Sequence, residues 1–562
     1  MRIKFTSSAA LALTTLVGCA DFSGITPHAQ LRDATSFGLA APSASTTAPL
    51  NSQWWLAFGD DSLNQLEAQA LQANPSLKLA QARITAAQAA AQLTHSATGP
   101  QLSAQLNASQ QLYTANGAIP PPLAGSVENS GTAQLAGSWE LDFFGKNRAA
   151  LQAALGNERA AQADAQAARV LLAAQVAQSY FAWVGLNEQR AVASRSLAQR
   201  EQTLQLVQAR VSAGLDTPLD LRQAQGALPD ARLQLALLDE QIALTHNALA
   251  ALVGESNQPI ALVNINQTAI KKIPFETTIN ANLLGQRADV AAARWRAQAA
   301  DQGVDAARAQ FYPNINLTAF AGFSSIGLGQ LLQSGSQQWG VGPAISLPLF
   351  DSGRLRANLG GKTAERDAAV ESYNAAVINA VHDVADQLAS RQAIARQQTE
   401  QAQAAQAAQD AFAAAQQRYR SGLLNALQVL SAETAVLAQR RQAVDLSTRA
   451  LQNQVALARA LGGGFTAATS PPNLFVCYYF NSYMLFSYKG YSPLLYITSQ
   501  NTDRTPHHDR QPNHAPKGSK HPTPGSPQWQ PQTQTRPDDP GRRGRGCRSG
   551  LGCLRIFGGQ PL

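Results

Sequence analysis

Few side chains in this sequence are spaced for chemistry. The clearest case is Cys19. Arg2 and Lys4 make a short basic start, and "SSAALALTTLVG" is an apolar stretch too short for a comfortable membrane span. It ends in "LVGC", small residues before a cysteine, which is the pattern of a bacterial lipid-attachment site. The chemistry would be acylation. Cys19 would become the first residue of the mature chain, and each buried acyl methylene would contribute ~0.8 kcal/mol of anchoring. A cleaved signal with an incidental cysteine is the plainer alternative. Ala20 follows the cysteine and Asp21 stands one place later, an order that favours the outer over the inner membrane of a Gram-negative cell.

No second constellation stands out. His28, His95, His246 and His382 are each isolated, without metal-ligand spacing. The glycines of "GFSSIGLGQ" lie in a strand and loop, and do not open a helix as a phosphate loop must. The body has no cysteine between Ala20 and Ser470, which excludes a disulfide framework or a Cys-based zinc site there. "HHDRQPNH", beyond Ser470, reads as a solvated histidine run. An enzyme, a cofactor and a metal are therefore not expected. Nor is nucleic acid. The tail after Ser470 holds 11 Lys and Arg against 4 Asp, a net +7 of the chain's +8, so the body is close to neutral.

What the body does contain is a turn written twice. "SAGLDTPLDLR" begins at Ser212 and "RSGLLNALQVL" at Arg420, with Gly214 and Gly422 spaced 208 positions apart. "LDFFGKNRAA" and "LFDSGRLRAN" keep that offset through Gly145 and Gly353, and "ALVG" and "ALGG" close it at Gly254 and Gly462. A repeat this long is a duplicated half rather than a solenoid unit. Each half reads helix, strand, loop, strand, long helix, turn, return helix. The long helices, about Gly145–Ser212 and Gly353–Ser421, should each be on the order of 100 Å. Equal length suits helices lying side by side. The return helices span about Thr217–Leu252 and Asn425–Leu461, and Pro229 should kink or interrupt the first. An ordinary antiparallel coiled coil would show the same Ala/Gln-rich pattern.

The boundaries that follow are a signal peptide over 1–18 and a lipidated tether over 19–49. A first structural repeat spans 50–254, a connecting segment 255–286 and a second repeat 287–466. The tail over 467–562 changes composition abruptly and is expected to be disordered.

The strands alternate with period two. Ala133, Leu135, Gly137, Trp139, Leu141 and Phe143 share a face, as do Leu102, Ala104 and Leu106. So do Ile315, Leu317, Ala319, Ala321 and Phe323, and Trp339, Val341, Ile345, Leu347 and Leu349. In the first two strands polar residues, among them Ser103, Gln105, Asn107, Thr132 and Gln134, take the other face. A water-soluble sandwich is one solution. A membrane barrel, apolar outside and wet inside, is the other, but it needs closure, and small membrane barrels start at about eight strands. Four strands would then require several chains: three copies give twelve strands, two copies eight.

"WWLAFGDDSLNQL", "NPSL", "ELDFFGKNR", "LLGQRADV", "FYPNINLTA", "LPLFDSGRLRA", "QRYRSGL" and "RALGGGF", in this order over about residues 50–466, resemble the outer-membrane factor family. This TolC-like family includes the OprM/NodT-type efflux lipoproteins. The resemblance implies an α+β membrane protein. Its trimeric twelve-stranded β-barrel, with four strands per chain, would continue as a long α-helical barrel, with an internal two-fold sequence repeat. It implies a homotrimer in outer-membrane lipid, reaching through the periplasm to a periplasmic adaptor and an inner-membrane pump. The activity implied is a passive exit duct for small toxic compounds. A type I protein-secretion duct is the close alternative, and a periplasmic coiled-coil adaptor or structural lipoprotein the remote one. The tips with Gly214, Leu215, Gly422 and Leu423 would meet the adaptor. Asp220 and Tyr419 match members of the polar network that holds relatives closed. Gln428 and Ser431 stand where relatives ring the aperture with aspartates, and Leu424 where they place a partner arginine. The chain departs from the family pattern at Asp61, at "RAD" (Arg287–Asp289) and in its tail.

Overall fold

The computed structural model describes residues 22–32, 50–254, 262, 267–273 and 286–465. Cys19, most of the connecting segment and the tail lie outside them. A short 3-10 turn, Trp54–Phe58, opens the body. Then follow α1 (Asp61–Ala73), α2 (Pro75–Ser96), β1 (Gln101–Leu112), β2 (Val127–Leu141), α3 (Lys146–Ser212) and α4 (Pro218–Val253). The second series is α5 (Ala288–Ala309), β3 (Asn314–Ile326), β4 (Gln337–Ser346), α6 (Arg354–Arg420) and α7 (Ala426–Ala460).

Helices α3 and α6 both have 67 residues, about 100 Å at the helical rise. The buried positions of α3 hold many small residues, among them Ala149, Gly156, Ala160 and Ala163, which lets neighbouring helices approach closely. Helix α4 runs unbroken through Pro229, so the expected interruption does not occur. A proline costs its helix one N–H. Close by, Arg200 of α3 donates to the carbonyl of Ala227 at 2.9 Å, an outside donor for the weakened turn.

The four strands form one antiparallel sheet in the order β1-β2-β3-β4. The register lines up the apolar residues: Leu102 faces Gly137, which faces Ala319, which faces Val341, and Leu141 faces Ile315, which faces Ile345. β4 ends at Ser346, so Leu347 and Leu349, expected to extend it, lie beyond. On the other face a glutamine ladder crosses the sheet. Gln338 donates to Gln134, and Gln134 to Gln105, each at 3.1 Å. Leu102 is 75% exposed and Trp339 77%. An apolar sheet face that open is a surface made for another medium or another chain.

The core gathers where α1, α3, α4 and α7 meet. Trp54, Phe58, Leu63, Tyr180, Phe181, Leu249 and Val455 are buried together. Asp60 fixes the entry to α1. It accepts from Ser62 N at 2.9 Å and Leu63 N at 3.2 Å as an N-cap, and from the Tyr180 hydroxyl at 2.7 Å. The "WWLAFGDD" stretch is thus a hydrophobic plug followed by a helix start.

Glu67 lies in the same region, 0% exposed, with no hydrogen bond to either carboxylate oxygen. Burial pushes its carboxyl up to about 9 from 4.5. Below the unfolded value both states hold the proton and stability is intact. As pH rises toward the folded value only the unfolded chain releases it, at a cost of up to ~1.4 kcal/mol per pH unit. Glu67→Gln should therefore match wild type in thermal unfolding near pH 4 and exceed it increasingly by pH 8. Parallel melting curves at the two pH values check this.

The part of the tether that is described is not loose. Phe22 packs edge-on against Phe311 at 4.9 Å, and Arg356 donates to the carbonyl of Ser23 at 2.9 Å. The backbone N–H groups of His28 and Ala29 donate to Asp367 at 2.9 and 3.1 Å, and that of Arg32 to Asn374 at 3.2 Å. The segment starts beside the junction of α5 and β3 and follows α6 away from the sheet.

Candidate functional site

The two turns lie at the ends of α3 and α6 remote from the sheet. Both close in the same way. Gly214 and Gly422 take left-handed φ of 73° and 77°. Leu215 N donates to Arg210 O at 2.8 Å, and Leu423 N to Arg418 O at 2.9 Å. This is a Schellman closure, which a Cβ at the glycine would strain. The next helix starts on a polar cap: Thr217 pairs reciprocally with Asp220, and Asn425 accepts from Gln428 N at 3.2 Å. Leu215, Leu219, Leu423 and Leu427 remain exposed around the turns.

Just inside the turns, the hairpin α3/α4 is tied to the hairpin α6/α7. Asp216 is the hub. Arg210 donates to it twice, at 3.1 and 3.2 Å, and the Tyr419 hydroxyl donates at 2.5 Å. The Arg210 guanidinium also lies over the Tyr419 ring, 4.6 Å from its centroid. Tyr419 is 1% exposed, and its hydroxyl is held well above the usual phenol range, first by burial and then by its bond to Asp216. Below this link Val207, Ala224, Phe412, Ala426, Val429 and Val436 form a small apolar cluster, with Leu424 packed against it.

This geometry changes the residue roles expected from the resemblance. Asp220 does not bond to Tyr419. Its carboxylate accepts from the Thr217 hydroxyl at 2.6 Å and the Thr217 N–H at 3.0 Å, and these bonds hold it below the usual carboxylate range. It is a helix cap, and Asp216 makes the contact between hairpins. Gln428 and Ser431 are exposed on α7, and Leu424 is half-buried. Cys19 is outside the described residues. Arg210 and Asp216 were missed, and a signal existed. At the 208-residue offset Asp216 aligns with Leu424 and Val211 with Tyr419. The link sits where the two copies of the turn differ most in polarity.

A second charged contact joins the hairpins farther along. Glu433 of α7 is buried, and burial raises its carboxyl against the opposing charge of Arg200, which lies 3.9 Å away on α3. Arg200 also reaches Asp230 of α4 at 3.2 Å. Where α7 ends, alongside the middle of α6, Arg287 anchors the start of α5. It donates to Asp289 at 2.7 and 3.1 Å, to Asp383 of α6 at 3.2 Å and to the carbonyl of Ala460 at 3.2 Å.

A sheet with one apolar and one polar face, continued by two equal helical hairpins, is an arrangement that other chains share. The family model for outer membrane efflux proteins matches residues 66–255 and 281–463. The chain belongs to the outer membrane efflux protein family. The multidrug resistance outer membrane protein MdtQ of Escherichia coli O157:H7 is 33% identical over 480 residues, covering 81% of this family member and 96% of MdtQ. The toluene efflux pump outer membrane protein TtgF of Pseudomonas putida is 33% identical over 438 residues, covering 77% and 90%. Among solved structures, VceC of Vibrio cholerae superimposes with a TM-score of 0.70 at 37% identity, covering 74% of this chain and 100% of VceC. This efflux family member is thus an outer membrane protein of mixed helix and sheet.

Proposed function

We propose that three copies of this chain close a twelve-stranded barrel in the outer membrane, and that the paired hairpins continue it as a helical duct through the periplasm. The observation that carries this reading is the sheet. Its apolar face is exposed, its polar face is a hydrogen-bonded ladder, and β1 and β4 have free edges among the described residues. Such edges cannot face lipid unpaired, and three sheets joined β4 to β1 leave none. The equal 67-residue helices suit halves that arose by duplication, spanning 50–254 and 287–466.

The cargo is small toxic molecules, as the names of MdtQ and TtgF suggest for those relatives. The exposed leucines of the six turns in a trimer offer a landing site for a periplasmic adaptor, with an inner-membrane pump supplying the energy. Cys19 carries the lipid. Phe22, three residues on, packs at the sheet–helix junction, within about 11 Å of reach for the cysteine, so the anchor would enter the leaflet beside the barrel.

One deletion strain tests both claims. Without this chain, a lipophilic dye should accumulate in the cell while protein secretion continues. The reverse pattern would assign the duct to type I protein secretion. Restored wild type should incorporate labelled palmitate and Cys19→Ala should not, with efflux partly retained because the barrel also holds the chain in the membrane. Labelling of the variant at the wild-type level would refute the anchor.

A further inference from the structure

The polar face of the sheet carries one aromatic side chain, Phe320. Its direct partners across the strands are Ala136 on β2 and Gly340 on β4. A Cβ built on Gly340 would come within 2.7 Å of Phe320 Cε1 and 2.9 Å of Cζ. The ring therefore leans over β4 and fills the space that a side chain at 340 would need. It lies along the wall and stays 41% exposed. Gly342, the next residue of β4 on that face, leaves open space beside it.

The surroundings make this ring conspicuous. Gln105, Gln134, Gln338, Thr132, Ser324 and Thr318 cover the same face. The charges among the described strand residues of that face are Glu128 and Glu140, near the two ends of β2, and Glu140 is paired with Lys146. Between them the wall is neutral and hydrogen-bonds well to water, but offers a solute little dispersion. An exposed π face at mid-height is the place where a flat aromatic molecule gains most over an aliphatic one.

We propose that Phe320 is a transient stacking site for planar aromatic solutes passing through the barrel, and that three such rings give the duct a preference for aromatic over aliphatic cargo. This rests on the closed-barrel reading, in which the polar face lines the lumen. The plainer role for such a ring is to cover Gly340 and stiffen the sheet, and the test separates the two.

Purified protein is placed in planar bilayers, and cations are added on the side of the strand loops, so that they reach the lumen without crossing the helix tips. The probes are ethidium, flat and aromatic, and tetrabutylammonium, of equal charge and aliphatic. Ethidium should give resolvable blocking events. Phe320→Leu keeps apolar cover over Gly340 and should shorten them about fivefold, the loss of a stacking contact of roughly 1 kcal/mol. Phe320→Trp should restore them. Tetrabutylammonium block should be alike in all three. Unchanged ethidium dwell in the Leu variant, or equal shortening for both cations, would overturn the proposal. Phe320→Met gives the same readout if the Leu variant yields too little trimer. Wild type that runs as a monomer in unheated gel samples would refute the closed barrel, and the stacking site with it.

Discussion

Asp216→Ala is expected to raise the single-channel conductance of the reconstituted protein several-fold. Asp216 is the acceptor shared by Arg210 of its own hairpin and Tyr419 of the other. All three side chains are largely withdrawn from water, with Asp216 and Arg210 at 5% and 15% side-chain exposure. Removing one member of a buried, hydrogen-bonded ion pair costs ~3–5 kcal/mol, because the partner stays buried without its counter-charge. Arg210 is partly exposed already and gains more water as the two hairpins part, so in the proposed duct relief of the penalty favours opening at the tips. In a trimer the loss occurs three times. Tyr419→Phe removes only the phenol's donation and should give a smaller rise. Asp220→Ala removes a cap and should cost about 1 kcal/mol of stability with no change in conductance. Bilayer recordings of the three variants rank the contacts, and an Asp220 effect equal to that of Asp216 would reverse the assignment.

Arg287→Ala is expected to abolish assembly of the proposed trimer. Arg287 is buried, and joins the start of α5 to α6 through Asp383 and to the end of α7 through the Ala460 carbonyl. Burial alone would raise the Asp289 carboxyl, but the hydrogen bonds and charge of Arg287 outweigh it and hold Asp289 below the usual range. The alanine variant would leave two half-exposed carboxylates close together without their cation, which water partly screens, and would remove the donor to the Ala460 carbonyl, a combined loss of about 1–3 kcal/mol. That is a sizeable part of a domain's net stability. Arg287→Lys keeps the charge, but its three donors on one nitrogen cannot span the four oxygens that the guanidinium holds, so it should rescue only in part. Unheated and heated gel samples of both variants distinguish these outcomes.

The fold was legible because its parts are long and periodic. Period-two strands such as "GTAQLAGSWEL" place every large apolar residue on the face where the register puts it. Glycines and caps mark both turns to within a residue or two. What stayed hidden was pairing between distant segments. Nothing in the local pattern of "GLDTPLD" says whether Asp216 or Asp220 faces Tyr419. Hairpin packing decides it, since the reciprocal cap with Thr217 uses up Asp220. The neutral state of Glu67 was equally invisible, because a glutamate in an amphipathic helix reads as solvated until its neighbours close over it. The proline in α4 does not interrupt its helix for a related reason: the neighbouring turn is supported from α3, outside its own helix, by Arg200, which donates to the Ala227 carbonyl.

The matched length of α3 and α6 has a consequence for how such a chain can change. One residue inserted into α3 alone would advance everything beyond it by about 1.5 Å and turn it by about 100°. Asp216 would swing away from Tyr419, and in the proposed trimer three of the six tips would no longer lie level with the others. The same insertion made in both helices would lengthen the molecule and leave every pairing across the hairpins in phase. The two halves therefore behave as a ruler and its copy: the distance spanned can drift over evolutionary time, but only by paired steps of equal size.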